Sequence, residues 1–167
     1  MEYLQVFDKE GNALNESVAR NKKMSLPNGK YFKTVIVYIQ NSKGEILIQK
    51  TSKQKNSVWA TTGGHVQSGV SSLDTMHNEI LEELGIDIEM EKLELIRTEG
   101  PIKYPCALQD DYFLQMDIDI DELTLQKEEV EFVKWMTVSE IEQLIAKNNF
   151  REGNIPFFEY LVKIGRI

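Results

Sequence analysis

At 167 residues, 41% hydrophobic and 28% charged, the chain has the size and composition of one globular domain with a real core, and no run approaches the ~20 apolar residues of a membrane span. A formal net charge of −8 excludes a broad nucleic-acid surface, because such a surface needs clustered Lys and Arg to displace counterions. Cys106 is the sole cysteine, which excludes an intramolecular disulfide and a cysteine-rich zinc site. With no basic segment leading into an apolar one at the N-terminus, the expectation is a cytoplasmic protein. A phosphorylated small molecule is compatible with the charge if a metal ion lies between protein and ligand, so clustered carboxylates are the feature to look for.

In chain order, Tyr3 to Phe7 reads as a strand ended by the turn DKEGN, and the segment from there to Gly29 has no decisive pattern. The β-branched and aromatic run KTVIVYIQ, Lys33 to Gln40, predicts a strand; Asn41 to Gly44 a turn; Glu45 to Lys50 a second strand completing a hairpin. Lys50, Lys53 and Lys55 form a compact basic run that reads as a solvated loop. A short strand at Val58 to Thr61 leads to Gly63-Gly64 and a polar loop. From Ser71 to Leu84, Leu73, Met76, Ile80, Leu81 and Leu84 make one helical stripe, with Ser71 and Asp74 suited to the start and Gly85 to the stop. Strands at about Leu93 to Thr98, Leu108 to Ile118 and Val130 to Met136 follow, then helices at Ser139 to Lys147 and Pro156 to Ile164. Interspersed strands and helices predict an α+β domain with helices packed on a mixed β-sheet. One domain fills 1–167.

The chemistry concentrates on the first helix. About 100° per residue puts Glu79, Glu82 and Glu83 within roughly a 100° arc turned away from the apolar stripe. Like charges at i,i+3 and i,i+4 repel by a few tenths of a kcal/mol per pair, and no basic residue lies between Asp74 and Ile88 to offset them. Hard oxygen ligands at that spacing suit Mg²⁺ or Mn²⁺, which keep several waters and take phosphate oxygens as further ligands. Gly63-Gly64 before the helix and Gly85 after it allow close backbone approach and a sharp turn. His77 lies near the apolar stripe and reads as a packing residue. Tyr31, Trp59, Tyr104 and Tyr112 are available to stack on a base, although packing is the simpler role for each.

The stretch from Gly64 through Glu79, Ile80, Glu82, Glu83 and Gly85 to Ile86 resembles the Nudix box, with agreement at seven of its nine specified positions. Two positions depart: Val70 stands where the family has Glu, and Asn78 where it has Arg. In the family that pair is credited with bracing the loop against the helix. Losing both leaves no unpaired buried charge, so the box is read as having lost scaffolding and kept its metal site. The resemblance covers about residues 33 to 147, flanked by an N-terminal strand and a C-terminal helix. The opening EYLQVFDKEGN is similar to the N-terminal strand of the subgroup related to isopentenyl-diphosphate isomerase.

The resemblance implies a sheet sandwiched between helices. It further implies metal-dependent hydrolysis of the diphosphate linkage in a nucleoside diphosphate joined to another group. Glu79, Glu82 and Glu83 would be catalytic and metal-binding, with Mg²⁺ or Mn²⁺ as cofactor, and Gly63, Gly64 and His65 would contact substrate. Candidate general bases are Glu79 and, outside the box, Glu128, Glu129 and Glu131. Partners would be a small nucleotide or diphosphate and a second copy of the chain in a homodimer, with no membrane. A Nudix-fold module that binds without cleaving is the alternative reading. The isomerase is disfavoured because its cysteine position matches Gly63 here, although His65 matches its metal-binding histidine.

Overall fold

Residues 1–21, 25–102 and 107–167 are described by the structure, a computed structural model; Tyr104 and Cys106 lie outside the described residues. Strands β1 (Tyr3–Phe7) and β2 (Ala13–Ala19) form a two-stranded antiparallel hairpin. Its turn is tied by Asp8, whose Oδ1 accepts the backbone N–H groups of Glu10 and Asn12, each at 2.9 Å. The second strand occupies the segment whose pattern was undecided. ALNESVA is mostly exposed and has little hydrophobic alternation, so pairing with β1 rather than its own pattern makes it a strand.

The remaining strands are β3 (Phe32–Gln40), β4 (Ile46–Thr51), β5 (Trp59–Ala60), β6 (Thr62–His65), β7 (Glu94–Ile102), β8 (Ala107–Gln115) and β9 (Val130–Met136). They build one mixed sheet around β3. The expected β3–β4 hairpin is real only at its turn, where Gln40 faces Ile46. Beyond the turn the two strands part. Thr34 to Val37 pair antiparallel with β6, β3 runs parallel to β8 along its whole length, and β4 pairs with β9 and β5. The divergence lets the glycine-containing β6 lie beside β3.

KTVIVYIQ does not alternate because both faces of β3 are covered. Val35, Val37 and Ile39 pack with Met76, Ile80 and Leu84 of helix α1 (Ser72–Leu84). Ile36 and Tyr38 face Ile141 of α2 (Val138–Ala146) and Phe157, Phe158 and Leu161 of α3 (Ile155–Lys163). The expected sandwich of sheet between helices is therefore present. No described helix is long and apolar enough to cross a membrane.

Helix α1 starts where Ser71 accepts the N–H of Asp74 at 3.0 Å. It ends at Gly85, whose φ of 72° is a left-handed turn and whose N–H reaches Leu81 O at 3.0 Å. Met76, Ile80 and Leu84 are fully buried, each worth about 1.5–3 kcal/mol of apolar burial. That face fixes the rotation of the helix, and with it the aim of the glutamates.

Candidate active site

Strand β6 carries two glycines, each filling space that admits no side chain. At Gly63 a Cβ would lie 2.4 Å from the carbonyl oxygen of Val35, a fixed backbone atom of the neighbouring strand. The position that matches the isomerase's cysteine therefore holds a glycine that this backbone requires. At Gly64 a Cβ would lie 1.9 Å from Oε1 of Glu79, so the backbone and that carboxylate share the space a side chain would occupy.

The three glutamates do not share one environment, as a simple helical arc suggests. Glu82 is exposed, Glu79 is half-buried against Gly64, and Glu83 is buried at 6% exposure. Packing turns the edge of the arc into the crevice between α1 and the sheet. There Gln49 Nε2 donates to Glu83 Oε2 at 2.9 Å, while Gln49 Oε1 accepts from Thr62 Oγ1 at 2.9 Å. The threonine fixes which end of the amide faces the carboxylate. Burial, reinforced by the Glu82 charge, pushes Glu79 up to about 7. Burial pushes Glu83 up to about 8, with the Glu79 charge adding and the Gln49 hydrogen bond opposing.

These groups open onto a cavity of about 440 Å³. Gly63, Gly64 and His65 line it together with all three glutamates, so the sequence-derived site converges on one place. His65 Nε2 is buried with no hydrogen-bond partner among the described residues, and burial pulls the imidazole down to about 4, leaving it neutral near pH 7. Of the acids outside the box, Glu129 lines the cavity, where its carboxylate meets Lys55 Nζ at 3.0 Å. Glu128 and Glu131 are exposed and do not line it. A second hollow of about 60 Å³ adjoins the site, lined by Gln67, Val70, Thr75, Asn78, Glu79 and Glu82. The two departures from the box thus face each other across a gap beside two of the glutamates.

The aromatic candidates within the described residues stay out of the cavity. Tyr112 is buried with its hydroxyl 2.9 Å from Ser72 Oγ, Trp59 packs edge-on to Phe132 with Lys50 over its ring, and Tyr31 packs on the core below α1. His77 bonds Asp87 through Nε2 at 2.9 Å, tying the helix to the segment that follows it. Gln49, Arg20, Arg151 and Asn154 also line the cavity and were not singled out in the sequence. Gln49 alone left a signal, as a polar residue inside the apolar strand ILIQKT; the others reach the site from distant loops.

Mg²⁺ suits this donor set. Three carboxylates, two of them crowded and holding protons in the absence of a cation, supply hard oxygens at one end of the cavity. Among the described residues no three His, Cys, Asp or Glu side chains are gathered closely enough to hold a metal ion between them, so the three glutamates line one cavity without forming a ready-made ligand set.

The NUDIX domain family model matches residues 30–161. An uncharacterized Nudix hydrolase of Listeria innocua is 30% identical over 159 residues, covering 90% of this chain and 90% of that protein. The crystal structure of DR0079 from Deinococcus radiodurans superposes with a TM-score of 0.73 at 19% identity, over 89% of this chain and 91% of that one. The NUDIX domain of Shewanella oneidensis NrtR, complexed with ADP-ribose, superposes with a TM-score of 0.64 at 15% identity, over 80% of this chain and 87% of that one.

Proposed function

Since this chain belongs to the Nudix hydrolase family, we propose that it cleaves the diphosphate linkage of a nucleoside diphosphate joined to another group, with Mg²⁺ or Mn²⁺ held by Glu79, Glu82 and Glu83. The observation that carries the reading is the convergence of these three carboxylates with Gly63, Gly64 and His65 on a single cavity. A structural neighbour complexed with ADP-ribose supports the substrate class.

When bound, the divalent ion would neutralise the diphosphate and lower the pKa of a coordinated water. The chain's own residues do the rest. Gln49 holds Glu83 in one orientation through the Thr62–Gln49 relay. Gly64 keeps the backbone flush against Glu79, and His65 offers a neutral imidazole nitrogen that lacks a partner among the described residues. In the reaction a water oxygen forms a bond to phosphorus, the bridging P–O bond breaks, and the water's proton passes to a carboxylate. Glu129 is already engaged with Lys55, and Glu128 and Glu131 lie outside the cavity, so Glu79 is the residue assigned to receive it.

The test is incubation with a panel of nucleoside diphosphate derivatives in Mg²⁺, Mn²⁺ or EDTA, with products resolved by mass. Cleavage that requires metal and falls by about 100-fold or more in Glu83→Gln is expected. Absence of turnover across the panel, with nucleotide binding retained, would replace the hydrolase by a binding module.

A further inference from the structure

Three cationic side chains line the cavity: Arg20, Lys55 and Arg151. Two are neutralised. Arg20 Nη1 meets Glu2 Oε2 at 2.7 Å, and Lys55 Nζ meets Glu129 Oε1 at 3.0 Å. Arg151 has no hydrogen bond or ion pair to its guanidinium among the described residues, although it is only partly exposed and feels the Glu83 and Glu129 charges. Its position is nevertheless firmly set. The Arg151 N–H donates to Trp59 O at 2.8 Å, and three residues on, Asn154 accepts the Thr61 N–H at 3.2 Å through Oδ1 and the Tyr38 hydroxyl at 2.8 Å through its carbonyl. The segment from 151 to 154 is thereby bolted to the core and to the strand that enters the glycines. The fold holds a partly buried guanidinium in the cavity, with no side-chain partner among the described residues.

We infer that Arg151 is the substrate's second anchor: its guanidinium binds non-bridging oxygens of the diphosphate. The inference rests on the function proposed above. A planar guanidinium presents paired N–H donors that match two phosphate oxygens, a fit that an ammonium group lacks. Burial pulls the Arg151 pKa down, the mark of a cation held with too little solvation, and a bound anion would restore what is missing. The cavity then presents carboxylates of α1 and, within reach of the Glu83 and Glu129 charges, one guanidinium from the C-terminal segment with no side-chain partner among the described residues. Its ligand must carry at least two anionic groups close together, as a diphosphate does.

The rival role for Arg151 is to soften repulsion around Glu83, without touching substrate. Calorimetry separates the two, using Mg²⁺ alone and then methylenediphosphonate, a diphosphate that cannot be hydrolysed, in saturating Mg²⁺. Arg151→Met should weaken diphosphonate binding by about tenfold or more, with Arg151→Lys intermediate, while Lys147→Met, an exposed lysine outside the cavity, stays within about twofold. Mg²⁺ alone should bind Arg151→Met as tightly as the unsubstituted protein or more so, since a nearby positive charge has been removed. With a turned-over substrate, the same variant should raise KM with kcat within a few-fold. Should Arg151→Met fail to fold, Arg151→Lys and Arg151→Gln carry the comparison. Diphosphonate affinity unchanged in the arginine variants, with Mg²⁺ affinity altered, overturns the anchor and leaves the hydrolase reading standing. No diphosphonate binding by the unsubstituted protein overturns both.

Discussion

At Glu83 a carboxyl with 6% exposure is held beside Glu79 and pushed up to about 8. A group that binds its proton more tightly folded than unfolded contributes stability below its unfolded value, here 4.5, and loses it as pH rises through its folded value. Glu79, pushed up to about 7, has the same sign. In EDTA, urea unfolding should therefore show stability falling from about pH 4.5 to about pH 8 and levelling off above it, and Glu83→Gln should raise stability by roughly 1–3 kcal/mol at the alkaline end. Mg²⁺ should raise the melting temperature of the unsubstituted protein, and the same substitution should abolish that rise. The neighbouring glycines should separate by mechanism. Gly63→Ala drives a methyl into the Val35 carbonyl, and a loss of roughly 2–3 kcal/mol in denaturant unfolding is expected. Gly64→Ala meets only the tip of Glu79, which can swing away. Its stability should change by less than about 1 kcal/mol, while turnover falls by about 100-fold because the glutamate has moved.

Val70 and Asn78, where the sequence departs from the box it resembles, line a hollow of about 60 Å³ beside Glu79 and Glu82. Val70 is half-buried and Asn78 exposed, so one charge placed there alone stands without its partner, whereas Glu and Arg together can pair across the hollow. A double-mutant cycle on Val70→Glu and Asn78→Arg, read by thermal unfolding, should give a favourable coupling of about 1 kcal/mol or more, with each single change neutral or destabilising. The start of helix α1 is held by Asp110 on β8. Its Oδ2 accepts from Ser72 Oγ at 2.5 Å and lies 3.3 Å from Lys33 Nζ, and its Oδ1 accepts from Thr98 at 2.7 Å. The helix that carries the glutamates is thus pinned at its first turn by a strand on the far side of β3.

That network spans the whole molecule, since Lys33 Nζ also reaches Gly11 O at 3.4 Å and lies over the Phe7 ring at 4.7 Å. One buried carboxylate joins the N-terminal hairpin, three strands of the main sheet and α1. Asp110→Ala would leave the Lys33 ammonium buried and unpaired, so a loss of about 3–5 kcal/mol in urea unfolding is expected. The sequence by itself determined a great deal here. Period-3.6 spacing gave α1 and its caps, runs of β-branched residues gave β3, and the spacing of the glutamates with two preceding glycines pointed to residues that line one cavity. These signals are local, within a few turns of one helix or one strand. Strand β2 was not legible because its pairing, not its pattern, makes it a strand, and the splaying of β3 from β4 was not legible because the competing partners β6, β8 and β9 lie far along the chain. The burial of Glu83 under Gln49, and the presence of Arg20, Lys55 and Arg151 around the same cavity, were decided only in three dimensions. Hydrogen bonding and charge act over a few ångströms of space and are indifferent to the hundred residues that separate Gln49 from Arg151 in sequence.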